Sequence, residues 1–279
     1  MTLVVLGDVM ADVVAAASGP LARGSDTPAR VRFAGGGAGA NVAWWAARLG
    51  GRVALVARVG DDAPGREALA ALGAAGVDAR VEVDPGRATG CCVVIVEPGG
   101  ERTMLPDPGA NDAPLQVPEE LFAGSHLHVA GYALLREGPR SSALEALAHA
   151  GASGMTTSLD PSSAALLAPG AFGSLRVGLL RCNADELRAL TGGEDPAALL
   201  DLAGEVVVTL GADGALWTDG ARTERVGAVA AEVVDTTGAG DAFTAGLLLA
   251  RLAGAAPVAA LEAGARAAAI AVAAPGARR

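Results

Sequence analysis

A glycine-rich segment, DTTGAGD at 235–241, combines residue types that can do chemistry. It follows the strand-like run AAEVV and precedes an apolar run, so we expect Gly238, Ala239 and Gly240 to present backbone N–H groups at a helix N-terminus. Such a place binds anions such as phosphate without a lysine. Asp241 falls in the first helical turn, where the helix dipole favours its ionised form. A charged carboxylate beside a phosphate site can accept the proton of an alcohol that attacks phosphorus.

The same segment also has a purely structural interpretation. Asp241 can stabilise the start of the helix through the dipole alone, and Thr236 or Thr237 can cap it. The residue types in this segment leave both interpretations open.

A second glycine-rich segment, GGGAGAN at 35–41, lies between the strand-like run RVRF and a helix that begins near Asn41. Its glycines match a dinucleotide-binding fingerprint, but that fingerprint should follow the first core strand. Here the first strand runs into GDVMAD at 7–12 instead. We therefore favour close approach of the backbone and Asn41 to the hydroxyls of a small polar ligand. Tight packing between a helix and a strand is the alternative.

Composition excludes several classes of function. The chain has 279 residues and a net charge of −10, and all 21 of its basic residues are arginines. A P-loop, a Schiff-base enzyme and a protein-kinase site each require a lysine. The negative charge disfavours nucleic acid and anionic membranes as partners. The first residues do not resemble a signal sequence, and charges interrupt the apolar stretch 242–274, so we expect a cytoplasmic protein.

The cysteines and histidines do not form a metal-binding pattern. Cys91, Cys92 and Cys182 lack CxxC spacing, which predicts reduced, buried thiols. His126 and His128 would share one face of a strand, and we interpret them as core residues rather than metal ligands.

Short apolar strands alternate with helices along the chain. The predicted strands are 3–7, 52–60, 126–131, 155–160, 177–183 and 205–211, and the predicted helices are 41–49, 64–75, 139–150, 184–191, 239–253 and 257–273. The strands are apolar without strict alternation, which is typical of strands buried on both faces. This pattern predicts an α/β fold whose mostly parallel central sheet lies between two layers of helices.

Two stretches, 12–33 and 89–105, contain strand-like runs with no helix between them. They predict a small antiparallel addition to the main sheet, which would act as a lid over the carboxyl ends of the core strands. We expect a single domain over residues 1–279, with lid insertions at approximately 12–34 and 82–107. An exposed apolar face on this lid would allow a homodimer.

Together, the two glycine-rich segments resemble the paired signatures of the PfkB, or ribokinase-like, carbohydrate kinase family. Four further runs resemble motifs of that family in the same order, so the resemblance covers nearly the whole chain. The matching segments are GDVMAD (7–12), GGGAGANVAWWAARLG (35–50), GERTMLPDPGAN (100–111), NADE (183–186), VTLGADG (208–214) and DTTGAGDAFTAGLLLA (235–250).

The resemblance implies a ribokinase-like three-layer α/β/α fold and an ATP-dependent sugar kinase. Such an enzyme transfers the γ-phosphate to a hydroxymethyl group of a sugar or sugar acid, with Mg²⁺ and in many members K⁺. Asp241 then corresponds to the general base, and Gly238, Ala239 and Gly240 correspond to the anion hole. The other implied positions are Asp12, Gly36, Gly37 and Asn41 for the sugar, Asn183, Thr209, Gly211 and Gly214 for ATP, Glu186 for magnesium, and Asp235 with the Thr237 carbonyl for potassium.

Differences from the family pattern help to indicate which acceptor the protein phosphorylates. Ala38 and Met10 stand where ribokinases carry Lys and Asn, which does not favour a strict ribose kinase. Arg102 and Arg136 would suit an acidic acceptor if they lie in the site, and are surface charges otherwise. A nucleoside kinase and a non-catalytic ligand-binding relative are the alternatives. The aromatic content of 3% argues against the nucleoside, and the intact base and anion hole argue against the non-catalytic relative.

Overall fold

The computed structural model describes residues 1–99 and 101–278. Within these residues the chain forms a large sheet, a small sheet and two groups of helices. The strands are β1 (Thr2–Leu6), β2 (Met10–Ala17), β3 (Ala29–Gly36), β4 (Arg52–Gly60), β5 (Asp78–Asp84), β6 (Gly90–Val96), β7 (Arg102–Asp107), β8 (His126–Ala130), β9 (Thr156–Asp160), β10 (Val177–Asn183), β11 (Ala203–Thr209), β12 (Ala215–Thr218) and β13 (Thr223–Val226). The α-helices are α1 (Ala38–Arg48), α2 (Ala63–Ala74), α3 (Tyr132–Leu135), α4 (Glu137–Ala152), α5 (Ala184–Thr191), α6 (Ala239–Leu252) and α7 (Pro257–Val272).

The large sheet has the order β13-β12-β11-β10-β9-β8-β1-β4-β5 in the described part of the chain. The strands from β11 to β5 in this order are parallel, and β12 and β13 add an antiparallel edge. Apolar clusters cover both faces: one contains Trp45, Leu72 and Phe243 from α1, α2 and α6, and the other contains Leu147 and Leu187 from α4 and α5. The predicted three-layer α/β/α fold is thus confirmed.

The small sheet has the order β3-β2-β6-β7, two antiparallel hairpins joined through parallel β2 and β6. Its two faces differ in burial. Met10, Cys92 and Val94 are buried on one face, whereas Phe33 and Leu105 on the other are 81% and 55% exposed. The sequence predicted a small antiparallel addition to the main sheet, and the structure has a small separate sheet whose middle pair, β2 and β6, is parallel.

Two details of the sheets differ from the sequence prediction. Residues 82–84, expected in the lid, are the last residues of β5, which pairs in parallel with β4 at the edge of the large sheet. Asp84 accepts backbone hydrogen bonds from Gly86 and Arg87 and so ends this strand in a turn. The β12–β13 hairpin was not predicted, because strands of four residues give little periodic signal. Gly100, in the predicted 100–111 motif, lies outside the described residues.

Candidate active site

The predicted site residues gather at one edge of the large sheet. Parallel strands share a direction, so the residues at the ends of β9, β10 and β11, which are Asp160, Asn183 and Thr209, lie along the same edge. Asp8, just after β1, also lies there. This is the edge at which open α/β sheets bind ligands.

Asn41 and Asp241 join the two glycine-rich segments directly. The Asn41 side-chain amide donates to Asp241 Oδ2 at 2.8 Å, across 200 residues of sequence. Burial raises the pKa of Asp241 to about 7, against the opposing effect of the Asn41 hydrogen bond. A carboxylate with a pKa near neutrality suits a general base.

The N-terminus of α6 has the geometry of an anion site. Gly238 caps it with a φ of 75°, in the left-handed region that favours glycine. The Ala239 amide donates to the Thr236 carbonyl at 3.2 Å, whereas the Gly238 and Gly240 amides donate to no other described residue. A helix N-terminus with two free amide donors, Gly238 and Gly240, therefore lies where the sequence predicted the anion hole.

Arg181, which the sequence analysis did not single out, lies beneath this helix start. Its side chain is buried, pairs with Asp160 at 2.7 Å and donates to Thr209 Oγ1 at 3.1 Å. A Cβ on Gly240 would come within 2.7 Å of the guanidinium, so the glycine allows the helix to lie directly on the arginine. In a chain without lysine, Arg181 supplies a buried positive charge next to the anion hole. An arginine at the end of an apolar strand is the signal that could have revealed it.

The segment 35–41 is held against the end of β1. Asp8 accepts from the Gly39 amide at 3.1 Å through its carboxylate and from the Ala40 amide at 3.0 Å through its carbonyl. A Cβ on Gly36 would come within 2.2 Å of the Asp12 carboxylate, so glycine is needed for this close approach. Burial raises the pKa of Asp12 to about 6, opposed by the charge of Arg278.

Arg278, which has no role in the sequence prediction, also reaches the positions predicted for the sugar. Its Nε donates to Asn41 Oδ1 at 2.8 Å, and its Nη2 donates to the Gly36 carbonyl. Its Nη1 is buried without a hydrogen-bond partner among the described residues. Trp45 fixes the preceding residue by donating to the Ala277 carbonyl at 2.9 Å. Only folding brings this terminal segment to the site.

Asn183 and Glu186 form a reciprocal capping box at the start of α5. Asn183 Oδ1 accepts from the Glu186 amide, and Glu186 Oε2 accepts from the Asn183 amide, both at 2.8 Å. Burial, together with the nearby charge of Asp160, raises the pKa of Glu186 to about 7, whereas Arg181 opposes this rise. Both predicted residues thus lie at the site edge and also have a structural role.

The predicted nucleotide turn follows β11. Gly211 and Gly214 have φ values of 60° and 87°, and the Leu210 amide donates to the Gly214 carbonyl at 2.8 Å. A Cβ on Gly214 would lie 2.0 Å from the Val226 carbonyl oxygen of β13. Gly214 is therefore required for packing as well as for the turn.

The loop 235–237 binds Arg102 rather than leaving it free for an acceptor. Arg102 donates to Asp235 Oδ1 at 3.3 Å, to Thr236 Oγ1 at 2.6 Å and to Thr237 Oγ1. Arg136, the other arginine considered for an acidic acceptor, lies over the Tyr132 ring at 5.0 Å.

The histidines occupy the core, as interpreted from the sequence. His126 and His128 are buried and both contact Ser158 Oγ, at 2.7 and 2.8 Å. The three cysteines are free, and Cys92 and Cys182 are buried. In residues 1–99 and 101–278, no group of three or more His, Cys, Asp or Glu side chains is arranged to hold a metal ion.

Comparison with known proteins agrees with this geometry. The model of the pfkB family of carbohydrate kinases matches residues 1–279. The chain is 33% identical over 270 residues to the probable fructokinase-7 of Arabidopsis thaliana, covering 88% of this chain and 78% of that protein.

Two solved structures are similar in fold over most of both chains. The ribokinase of Arabidopsis thaliana, complexed with ribose and ATP, has a TM-score of 0.86 and 26% identity, covering 98% of this chain and 93% of that one. The adenosine kinase of Sinorhizobium meliloti has a TM-score of 0.87 and 26% identity, covering 99% and 95%. The chain therefore belongs to the pfkB family of carbohydrate kinases and is an ATP-dependent sugar kinase, a phosphotransferase with an alcohol group as acceptor.

Proposed function

We propose that the acceptor is a small neutral sugar, with fructose as the first candidate, and that its hydroxymethyl group is phosphorylated with Asp241 as general base. The single observation that supports this most is the hydrogen bond between Asn41 and Asp241, which joins the sugar-binding segment to the base at the start of α6. The relatives named fructokinase support the choice of sugar.

The charges around the acceptor position favour a neutral molecule. Asp8, Asp12 and Asp241 all lie close enough to influence the pKa of Arg278. Arg32 and Arg181 also act on Asp12 and Asp241, but each of these arginines lies against a further carboxylate, Asp235 and Asp160 respectively. Carboxylates therefore outnumber guanidinium groups here, which disfavours an acidic acceptor, whereas hydroxyl groups can donate to carboxylates. We place the sugar acid below the neutral sugar for this reason.

The catalytic steps follow from the positions of the side chains. Asp12, Asn41 and the backbone at Gly36 and Gly37 hold the hydroxyls of the sugar. Asp241 accepts the proton of the hydroxymethyl group as its oxygen attacks the γ-phosphorus, while the bond from the γ-phosphorus to the β,γ-bridging oxygen breaks and ADP leaves. The Gly238 and Gly240 amides then stabilise the charge of the transferring phosphoryl group.

We propose that the nucleotide lies along Asn183, Thr209, Gly211 and Gly214, with Mg²⁺ near Glu186. The buried Glu186 carboxylate fits a cation at this edge, while one of its oxygens already accepts from Asn183. This donor set fits a magnesium ion held mainly by nucleotide phosphates and water. When bound, Mg²⁺ neutralises phosphate charge.

The residues predicted for potassium do not fit a potassium ion in addition to the Arg102 guanidinium. Asp235 already accepts hydrogen bonds on both carboxylate oxygens, and Arg102 contributes a full positive charge to the same loop. We derive no step through potassium.

A nucleoside acceptor is less well supported. A nucleobase requires an aromatic stacking partner, but Trp44 and Trp45 are buried in the core and Phe33 is exposed on the outer face of the small sheet. Tyr132 is an aromatic side chain near Asp8 and Asp241, and Arg136 lies over its ring. A non-catalytic relative would lack the base or the anion hole, whereas this chain keeps Asp241 and the free amides of Gly238 and Gly240 that we propose for these roles.

We further propose that the small sheet is a lid within a single kinase domain. The insertions predicted at 12–34 and 82–107 supply it, except for residues 82–84 in β5. Its exposed apolar face supports a homodimer. No helix in the described residues has the length and apolar character needed to cross a membrane. The free thiols support a reducing, cytoplasmic location.

The test is acceptor-dependent ADP formation with MgATP over fructose, ribose, glucose, a keto-deoxy sugar acid and adenosine. We expect fructose to give the highest kcat/KM, and D241N to lower turnover with every acceptor. A preference for adenosine would support the nucleoside kinase. ATP binding without turnover on any acceptor would support the non-catalytic relative.

A further inference from the structure

The loop 235–237, next to the anion hole, is organised around one carboxylate. Asp235 Oδ1 accepts from the Thr237 amide at 2.9 Å, from Thr237 Oγ1 at 2.6 Å and from Arg102 Nη1 at 3.3 Å. Asp235 Oδ2 accepts from the Gly276 amide at 2.8 Å. Although burial opposes the charge, the hydrogen bonds from Thr237 and Gly276, together with Arg102, hold the pKa of Asp235 below its usual value.

The small sheet supplies the positive charges at this loop. Arg102 begins β7, and its guanidinium contacts three side-chain oxygens of the loop, on Asp235, Thr236 and Thr237. Arg32, on β3 of the same sheet, lies 3.7 Å from Asp235 Oδ2. The Arg102 and Asp235 side chains are 29% and 17% exposed, so solvent only partly screens their attraction.

We propose that the Arg102 guanidinium takes the place of a monovalent metal ion at loop 235–237, so that this enzyme works without potassium. The proposal rests on the proposed function, because the loop leads into the anion hole at α6. A metal ion at Asp235 would be repelled by a guanidinium already within 3.3 Å of the same oxygen. The planar guanidinium also orients the three oxygens, as a bound ion would.

This arrangement makes the loop depend on the small sheet. A dissolved ion would order the loop whatever the position of that sheet. A guanidinium carried by β7 orders the loop only while the sheet lies over the site. The order of the anion hole and the placement of the small sheet are therefore coupled.

The first experiment compares potassium, sodium and choline chlorides at equal ionic strength. Choline is too large for an ion site and serves as the reference cation. We expect wild-type kcat with fructose and the melting temperature to be equal in all three salts. A rise of either quantity specific to potassium would overturn the proposal.

The second experiment uses R102A, with R30A as the control because Arg30 is an exposed arginine on β3 of the same sheet. In choline chloride we expect R102A to lose about 10- to 100-fold in kcat, the usual cost of losing a charged hydrogen-bond group. Added guanidinium or potassium should restore part of that loss, and R30A should behave as wild type. Full activity of R102A in choline chloride would contradict the proposal.

The design separates this inference from the proposed function. If no acceptor supports ADP formation in any salt, the proposed function is wrong, and the melting temperatures in the three salts still test the inference. If R102A does not fold, the comparison of the three salts on the wild-type enzyme still tests whether the enzyme works without potassium.

Discussion

Asp241 has a raised pKa and also lies beside groups that stabilise its charged form. Burial beside Asn41 raises its pKa to about 7, which makes it a stronger base than an exposed aspartate. The adjacent positive end of α6 and the buried Arg181 favour its charged form. The result is a carboxylate that gains and loses a proton near neutral pH.

For D241N we expect turnover to fall by about 10²- to 10⁴-fold, the usual effect of losing a general base. Asparagine is nearly isosteric, so the dissociation constant of MgATP should stay close to wild type. Steady-state kinetics and nucleotide titration on the purified variant provide the measurement. Near-normal kcat would show that Asp241 only stabilises the helix start.

Protonation of Asp241 also predicts a pH dependence of stability. Its pKa is higher in the folded protein than the ordinary value of 3.8, so the folded state binds the proton more tightly. The stabilisation from this group is complete below about pH 4 and is lost as the pH rises through about 7. The asparagine of D241N does not titrate, so this variant has no such loss of stability. The melting temperature of D241N minus that of wild type should therefore be larger at pH 8 than at pH 5. An equal difference at both pH values would contradict the raised pKa.

Arg278 should contribute to acceptor binding because its buried Nη1 has no partner in the described protein, and a sugar oxygen would satisfy it. For R278M we expect the KM for fructose to rise by about 10- to 100-fold, with an unchanged KM for ATP. Equal changes in both KM values would indicate a general structural defect instead.

The start of α5 has a structural role as a helix cap and a proposed role in nucleotide binding. Asn183 caps the helix and, in the proposed function, also faces the nucleotide. Asn183→Ala should cost about 0.5–2 kcal/mol of stability through the lost cap. Asn183→Asp keeps the cap but adds a negative charge near the phosphates.

We therefore expect N183D to recover the melting temperature lost in N183A while its KM for MgATP stays raised. Thermal unfolding and steady-state kinetics on the two variants give the comparison. Recovery of both quantities in N183D would assign Asn183 a capping role only.

At the scale of the whole molecule, the small sheet has one face toward the site and one toward solvent. On the outer face, Phe33, Val13, Val93 and Leu105 are aligned in one cross-strand row. Phe33, Val93 and Leu105 are exposed, and a second copy of the chain would bury them.

We expect the wild-type protein to be a dimer in solution and F33E to be a monomer, because a buried charge at this row opposes association. Size-exclusion chromatography with light scattering measures the molar mass of each variant in solution. L144E, a charge on the exposed side of α4, is the matched control and should stay dimeric. A wild-type monomer, or a dimeric F33E, would contradict the lid interface.

The layered α/β fold could be predicted from the sequence alone, because apolar runs of strand length and glycine or proline boundaries are local features. The proposed base and anion hole could also be predicted from the sequence, since Gly238, Gly240 and Asp241 lie close together in the chain at a helix start. Placing Asn41 in the same site as Asp241 required the family resemblance, as did the role of Asp12, because a separation of 200 residues carries no local signal.

Only the tertiary structure decided where Arg102, Arg181 and Arg278 act. Each is a long side chain whose partner lies on another element, for example 237 residues away for Arg278 and Asn41. Neither periodicity nor spacing distinguishes such an arginine from a surface charge. The same reason applies to Asp84 at the end of β5, where pairing with β4 decided that residues 82–84 join the large sheet. Contacts between distant elements, rather than local pattern, determined which charges surround the site.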